Sequence, residues 1–165
     1  MTVLLNEFDK LCAFAGGKEI SREMIDEISI KSVEASVFDL TAAINTGKND
    51  RAFEILSELI KNKTEPTLII GTLAFGYVDI YRAKIASQNR ISNRDIADAF
   101  GSYKGKTFRL DKASSFTRNL TTDQIKELIS AISEADIQIK SFSKDNTIIL
   151  EELLAKLLYI AGGKR

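Results

Sequence analysis

By residue type, the segment best suited to holding a phosphate is Gly101-Ser102-Tyr103-Lys104-Gly105-Lys106-Thr107. A glycine-rich phosphate loop needs four residues between its glycines, a buried strand before it and a helix after it. Here three residues separate Gly101 from Gly105, and the apolar pattern leading into them is helical. The spacing therefore argues against a nucleotide loop. The cations suit another chemistry. Ser92 to Leu110 reads as helix, short turn, helix, with Ile96-Ala97 on the first helix and Gly101 at the turn. The second helix then carries Lys104, Lys106, Arg109 and Lys112, a basic face of the kind that meets DNA phosphates. Against a DNA-reading role, such helix pairs are common in all-helical domains and their outer faces are usually charged. Thr107 also stands where the second helix should bury an aliphatic.

A second basic cluster is Lys140-Ser-Phe142-Ser-Lys144, a loop between two expected helices. Phe142 beside cations suits stacking on a nucleic-acid base, or it folds back as an anchor over the core. Nucleophilic and metal chemistry have little to work with. The chain has no His and one Cys. Ser-His and Cys-His pairs, a histidine base and histidine-ligated zinc are thereby removed, as are an intrachain disulfide and a thiolate cluster. Cys12 is expected to be a buried apolar residue of the first helix. The expectation is a non-catalytic chain without cofactor or metal.

These residues need elements to position them. The 165 residues include 44% hydrophobic side chains, nine Gly and one Pro, enough apolar material for a core and few helix breakers. Lys+Arg and Asp+Glu both number 23, giving no net charge, which argues against a strongly basic nucleic-acid binder. No apolar run reaches the ~18 residues of a membrane span, and the N-terminus carries no signal pattern. A cytoplasmic protein without a membrane partner is expected.

The apolar period is helical almost throughout. Leu4, Leu5, Phe8, Leu11, Cys12 and Ala15 form one stripe, ended by Gly16-Gly17. Ser21 caps a short helix with Met24, Ile25 and Ile28, and a break follows near Lys31 to Glu34. Ser36 opens a helix with Val37, Leu40 and Ile44, stopped by Gly47. Asn49 or Asp50 caps the next, with Ala52, Phe53, Leu56, Leu59 and Ile60 on one face. Pro66 begins a long helix to about Gln88, in which Gly71 and Gly76 suggest close approach of a neighbour. A short helix from Ser92 to Gly101 and another from about Tyr103 to Arg118 follow. Leu120-Thr121-x-x-Gln124-Ile125 is a capping box with a hydrophobic staple, and Asp136 and Lys140 are spaced as a surface pair. The last helix, about Ile148 to Ala161, is apolar on more than one face. Its Leu153, Leu154, Leu157 and Leu158 are therefore candidates for a subunit interface. The fold class is all-α: a helical bundle preceded by a short helical appendage.

The ordered signals resemble one family. Asn6-Glu7-Phe8-Asp9-Lys10-Leu11, Ile20-Ser21 with Glu23, and Val37-Phe38-Asp39-Leu40 are similar to the delta subunit of bacterial DNA polymerase III. Ala43-Ile44, Gly47, Glu65-Pro66, Lys84, Ile96-Ala97 with Gly101, Asp136 with Ile139-Lys140, and Leu150-Glu151 continue the resemblance over nearly the whole chain. It implies that residues 1–30 are the last helices of a lid domain and 36–165 the C-terminal helical collar. The collar of this family joins five clamp-loader subunits into a ring for sliding-clamp loading in DNA replication. Partners implied are the gamma/tau and delta-prime type subunits, with weak contact to primer-template DNA. The family's clamp-binding domain would precede residue 1 and is absent from this chain, as from a truncated form. A helix-turn-helix DNA-binding regulator is the alternative.

Overall fold

The computed structural model describes residues 2–21, 24, 32–141 and 145–163, and among them every regular element is helical. The chain divides into two compact units, Met1–Ser32 and Val33–Arg165. In the first, α1 spans Thr2–Ala15. It ends where Gly16 and Gly17 take φ of 54° and 82°, a left-handed conformation that glycine adopts without steric cost. Ser21 Oγ accepts from the Met24 N–H at 3.3 Å, as a cap should. Ile25 and Ile28 lie outside the described residues. Cys12 is exposed, not buried, and Leu5, Phe8 and Phe14 are also exposed. Of the stripe, Ala15 is buried and Leu11 half-buried, while Leu5, Phe8 and Cys12 stay open.

The second unit holds α2 (Val33–Asn45), α3 (Asn49–Lys61), α4 (Pro66–Gln88), α5 (Asn93–Ala99), a 3-10 turn at Gly101–Tyr103, α6 (Phe108–Ser114), α7 (Thr122–Lys140) and α8 (Asn146–Gly162). Helix α2 starts at Val33, three residues before the Ser36 expected from the sequence. It closes with Gly47 at φ 70°, the Lys48 N–H donating to Ala43 O and the Gly47 N–H to Ile44 O. That pairing satisfies end carbonyls that would otherwise lack partners. Helix α3 is preceded by Lys48 with no side-chain cap, so neither Asn49 nor Asp50 serves as one. Pro66 occupies the first turn of α4, where its missing N–H costs nothing.

Helix α4 packs mainly on α7, and also on α6, α2 and α5; α8 touches α7, α2, α3 and α4. This central seat explains the last helix. Leu153, Leu154 and Leu157 are buried inside the chain, and Leu158 is half-buried against the same core. Three of the four leucines expected at a subunit interface are thus interior and the fourth packs on the same core, because an apolar surface on several faces serves a helix with neighbours on several sides. Thr121 and Gln124 form the expected capping box at the start of α7, with Leu120 and Ile125 both buried. Gln124 has a second task. Its Nε2 donates to Ile160 O at 3.0 Å, tying the start of α7 to the end of α8. At the other end of this helix pair, Asp145 accepts from the Thr147 N–H at 2.7 Å and starts α8 two residues earlier than Ile148.

The region from Ser92 to Thr117 is built differently. Its helices α5 and α6 have seven residues each, too few for a continuous stripe. A small separate core of Ala86, Ile96, Tyr103 and Leu110 joins it to the C-terminal half of α4.

Candidate functional site

The centre of that junction is Asp79, on the face of α4 turned toward the lobe and only 3% exposed. A lone buried carboxylate is costly unless charge and hydrogen bonds compensate it. Here both do. Tyr103 Oη donates to Asp79 Oδ1 at 2.5 Å, and Arg109 lies 2.7 Å from Asp79 Oδ2. Arg82, one turn further along α4, donates to Tyr103 Oη at 2.7 Å and stacks its guanidinium 4.3 Å from the Phe100 ring centroid. Burial raises the Tyr103 hydroxyl above its ordinary pKa, and donation to Asp79 raises it further, while Arg82 opposes. Sequence reasoning missed this cluster. Its signal was one acid, Asp79, inside the apolar stretch from Leu68 to Ile85.

The cluster redefines the basic residues selected by spacing. Lys104 and Lys106 are exposed but precede α6 instead of lying on it. The second helix begins at Phe108, not Tyr103, and ends at Ser114, not Arg118. The physical reason is that Tyr103 turns inward to Asp79 and Gly105 takes φ 72°, which interrupts any helix running through. Arg109 is occupied by Asp79, and the Lys112 ammonium sits 4.9 Å from the Phe38 ring centroid on α2. No basic recognition face forms, and the helix-turn-helix reading loses its recognition helix. The same turn removes any phosphate cradle from Gly101 to Thr107. An open cleft of about 550 Å³ does lie there, yet Arg94 and Lys104 on its walls are matched by Asp98 and Asp111, and Asp111 accepts from Asn93 at 2.9 Å. Lys140 pairs with Asp136 at 2.6 Å on the surface of α7 as its spacing suggested. Phe142 and Lys144 lie outside the described residues.

Other polar side chains also serve packing. Tyr77 Oη donates to Asn45 Oδ1 at 3.3 Å in the bundle interior, and burial pushes the Tyr77 hydroxyl far above its usual range. Lys84 Nζ donates to Thr117 O at 2.6 Å, fastening the end of the lobe to α4. Lys156 reaches Glu134 across the α7–α8 seam at 2.7 Å and lowers that carboxyl's pKa. Among the described residues no group of three or more His, Cys, Asp or Glu could hold a metal, and no helix is long and apolar enough to cross a membrane. What remains is apolar. Helix α4 carries Leu68 and Phe75 outward, 44% and 66% exposed.

Comparison with known proteins places the geometry. A family model described as the DNA polymerase III delta subunit, C-terminal domain, matches residues 34–157. The DNA polymerase III subunit delta of Bacillus subtilis strain 168 is 24% identical over 159 residues, covering 96% of this chain and 45% of that protein. A solved structure of the Bacillus subtilis DNA clamp loader delta protein superposes with a TM-score of 0.79 at 24% identity, covering 96% of this chain and 46% of that one. The chain spans a little under half the length of both relatives, and the structural likeness is one of fold.

Proposed function

The chain belongs to the family formed by the C-terminal domain of the DNA polymerase III delta subunit, and from that premise we propose that it is a non-catalytic clamp-loader piece. Residues 33–165 act as a collar module that assembles with gamma/tau and delta-prime type subunits into a five-membered ring for sliding-clamp loading. Residues 1–32 are the end of a lid domain in the same reading. One observation carries this: the charged groups drawn into the fold hold helices together, as Arg109 does on Asp79, while an apolar face of α4 stays open. A protein so arranged has little with which to transform a substrate and a surface with which to bind a partner.

Contact with primer-template DNA is weak in this account and runs through exposed Lys104, Lys106 and Lys112. With no net charge on the chain, binding is expected to be independent of sequence and to fall as salt rises. The test is reconstitution: the chain is mixed with its cognate gamma/tau and delta-prime type subunits and the products are weighed by native mass spectrometry. A five-membered species with one copy of this chain is expected. A complete assembly of the other subunits that excludes this chain refutes the proposal.

A further inference from the structure

We propose that the lobe from Ser92 to Thr117 is a switch segment: it undocks from α4 and unfolds as one cooperative unit while the bundle stays folded, with Asp79 as its catch. The switch does not depend on the assembly reading and is tested without any partner.

Little apolar burial holds the lobe. Ile96, Tyr103 and Leu110 share a small core with Ala86 of α4. Only Ala113 is fully inside the bundle core, with Phe116 half-buried against it, and Phe100 and Phe108 stay about half open. Regions with few buried apolar contacts open at free energies well below that of the whole domain. Helices α5 and α6 have seven residues each, and isolated helices shorter than about 12 residues are marginal in water. Once off α4 they therefore melt instead of swinging as rigid rods.

Two features make the melting a single event. Asn93 of α5 donates to Asp111 at 2.9 Å and to Ser114 at 3.0 Å, both on α6, so neither helix leaves alone. Tyr103, in the turn between the helices, and Arg109 on α6 both end on the Asp79 carboxylate. Removing one partner while the site stays dry leaves a buried charge unmatched, which is strongly unfavourable. Lifting the whole lobe instead returns Asp79 and Arg109 to water together. Half-open arrangements are thus the costly ones, and the segment has two states. Its boundaries suit this. Upstream, Arg90 takes φ of 58°, a left-handed conformation that costs a non-glycine residue and that a released chain need not keep. Downstream, Leu120 is buried in the bundle core, where the opening stops. The end of α4 does not depend on the lobe either, because Gln88 Nε2 donates to Thr122 Oγ1 at the start of α7, at 3.2 Å. Opening uncovers Asp79 and Arg82 on α4 and leaves the bundle helices in place.

The experiment is native-state hydrogen exchange on the full chain, read by NMR at several denaturant concentrations below the unfolding transition. The amides of Ile96, Phe100 and Leu110 are the reporters, since each donates within the lobe, to Ser92 O, Ile96 O and Thr107 O. They should share one opening frequency and one dependence on denaturant, at least about 100-fold more frequent than the opening of α7 and α8. Asp79→Asn removes the charge but keeps an acceptor for Tyr103. It should raise that frequency about tenfold at all three reporters, while α7 and α8 stay within about threefold of the wild type. Arg109→Gln should act alike, and the double variant should open about as often as either single one, because a pair removed at both ends leaves no charge unmatched. Reporters that exchange only with the slowest amides of the bundle, in global unfolding, overturn the proposal. So do α5 and α6 reporters that differ in denaturant dependence or answer Asp79→Asn on one helix alone, since the lobe then frays in pieces. Should a variant fail to fold, the wild-type profile decides by itself.

Discussion

Two regions share helix α4 and are held to it by opposite means. The bundle of α2, α3, α4, α7 and α8 is joined by one continuous apolar core. The lobe from Ser92 to Thr117 shares a small core of Ile96, Tyr103 and Leu110 with Ala86 of α4, sends only Ala113 fully into the bundle core, and is fastened by Asp79, Arg109, Tyr103, Arg82 and the Lys84–Thr117 bond. Apolar burial is non-directional and needs a long stripe to be specific. A charged hydrogen-bonded cluster is directional and can fix seven-residue helices that have no stripe. The molecule therefore uses bulk packing where its helices are long and directed polar contacts where they are short.

The largest effect should come from placing a charge in the bundle. Leu157 is fully buried, and Leu157→Asp is expected to cost more than about 4 kcal/mol and to abolish helicity by circular dichroism. Retained helicity would mean that α8 is not central. Next is the cluster. Asp79→Ala leaves Arg109 without its partner and Tyr103 without its acceptor, a loss of about 3 kcal/mol, because Arg109 is partly exposed and can rehydrate. Hydrogen exchange should quicken in α5 and α6 while α7 and α8 stay protected. Equal loss of protection in both regions would dissolve the distinction between them. Asp79→Asn, which still accepts from Tyr103, should cost less.

A smaller effect tests a joint within the bundle. Gln124→Ala removes one half of the capping box and the bond to Ile160, and should lower stability by roughly 1–2 kcal/mol. A change confined to a few tenths would show that water replaces both bonds. The last effect compares the two buried tyrosines by pH. Tyr77 in the bundle and Tyr103 in the lobe both have pKa values raised by burial above the ordinary 10.0. A raised folded pKa contributes stability that is complete below the unfolded value and is lost as pH rises through the folded one. Denaturant midpoints should stay level up to about pH 10 and fall beyond it. Tyr103→Phe should reduce the fall without removing it.

The same contrast separates what the sequence could disclose from what it could not. The long helices declare themselves through period and punctuation: Pro66 starts α4, Thr121 with Gln124 starts α7, and Asp136 meets Lys140. Each is a local signal within four residues, so no tertiary knowledge is needed. Three features were not local. The apolar faces of α8 are read equally well as an interface or a central seat, and only the positions of α7, α2 and α3 decide. The extent of α6 depends on Tyr103 reaching a carboxylate 24 residues earlier. Cys12 belongs to a stripe whose periodicity is sound, yet its own position is exposed. The open face of α4 was hidden for a similar reason: Leu68 and Phe75 look like core in any apolar helix until the buried side is known.

The central claim is that this bundle exists to assemble with other clamp-loader subunits. Sedimentation velocity of the chain with the proposed gamma/tau and delta-prime type partners, at tens of micromolar and moderate salt, tests it most directly. Contacts of ordinary interface size register readily at such concentrations. The account predicts a faster boundary containing this chain and its partners together. A chain that keeps its helicity yet sediments alone at every ratio would contradict it.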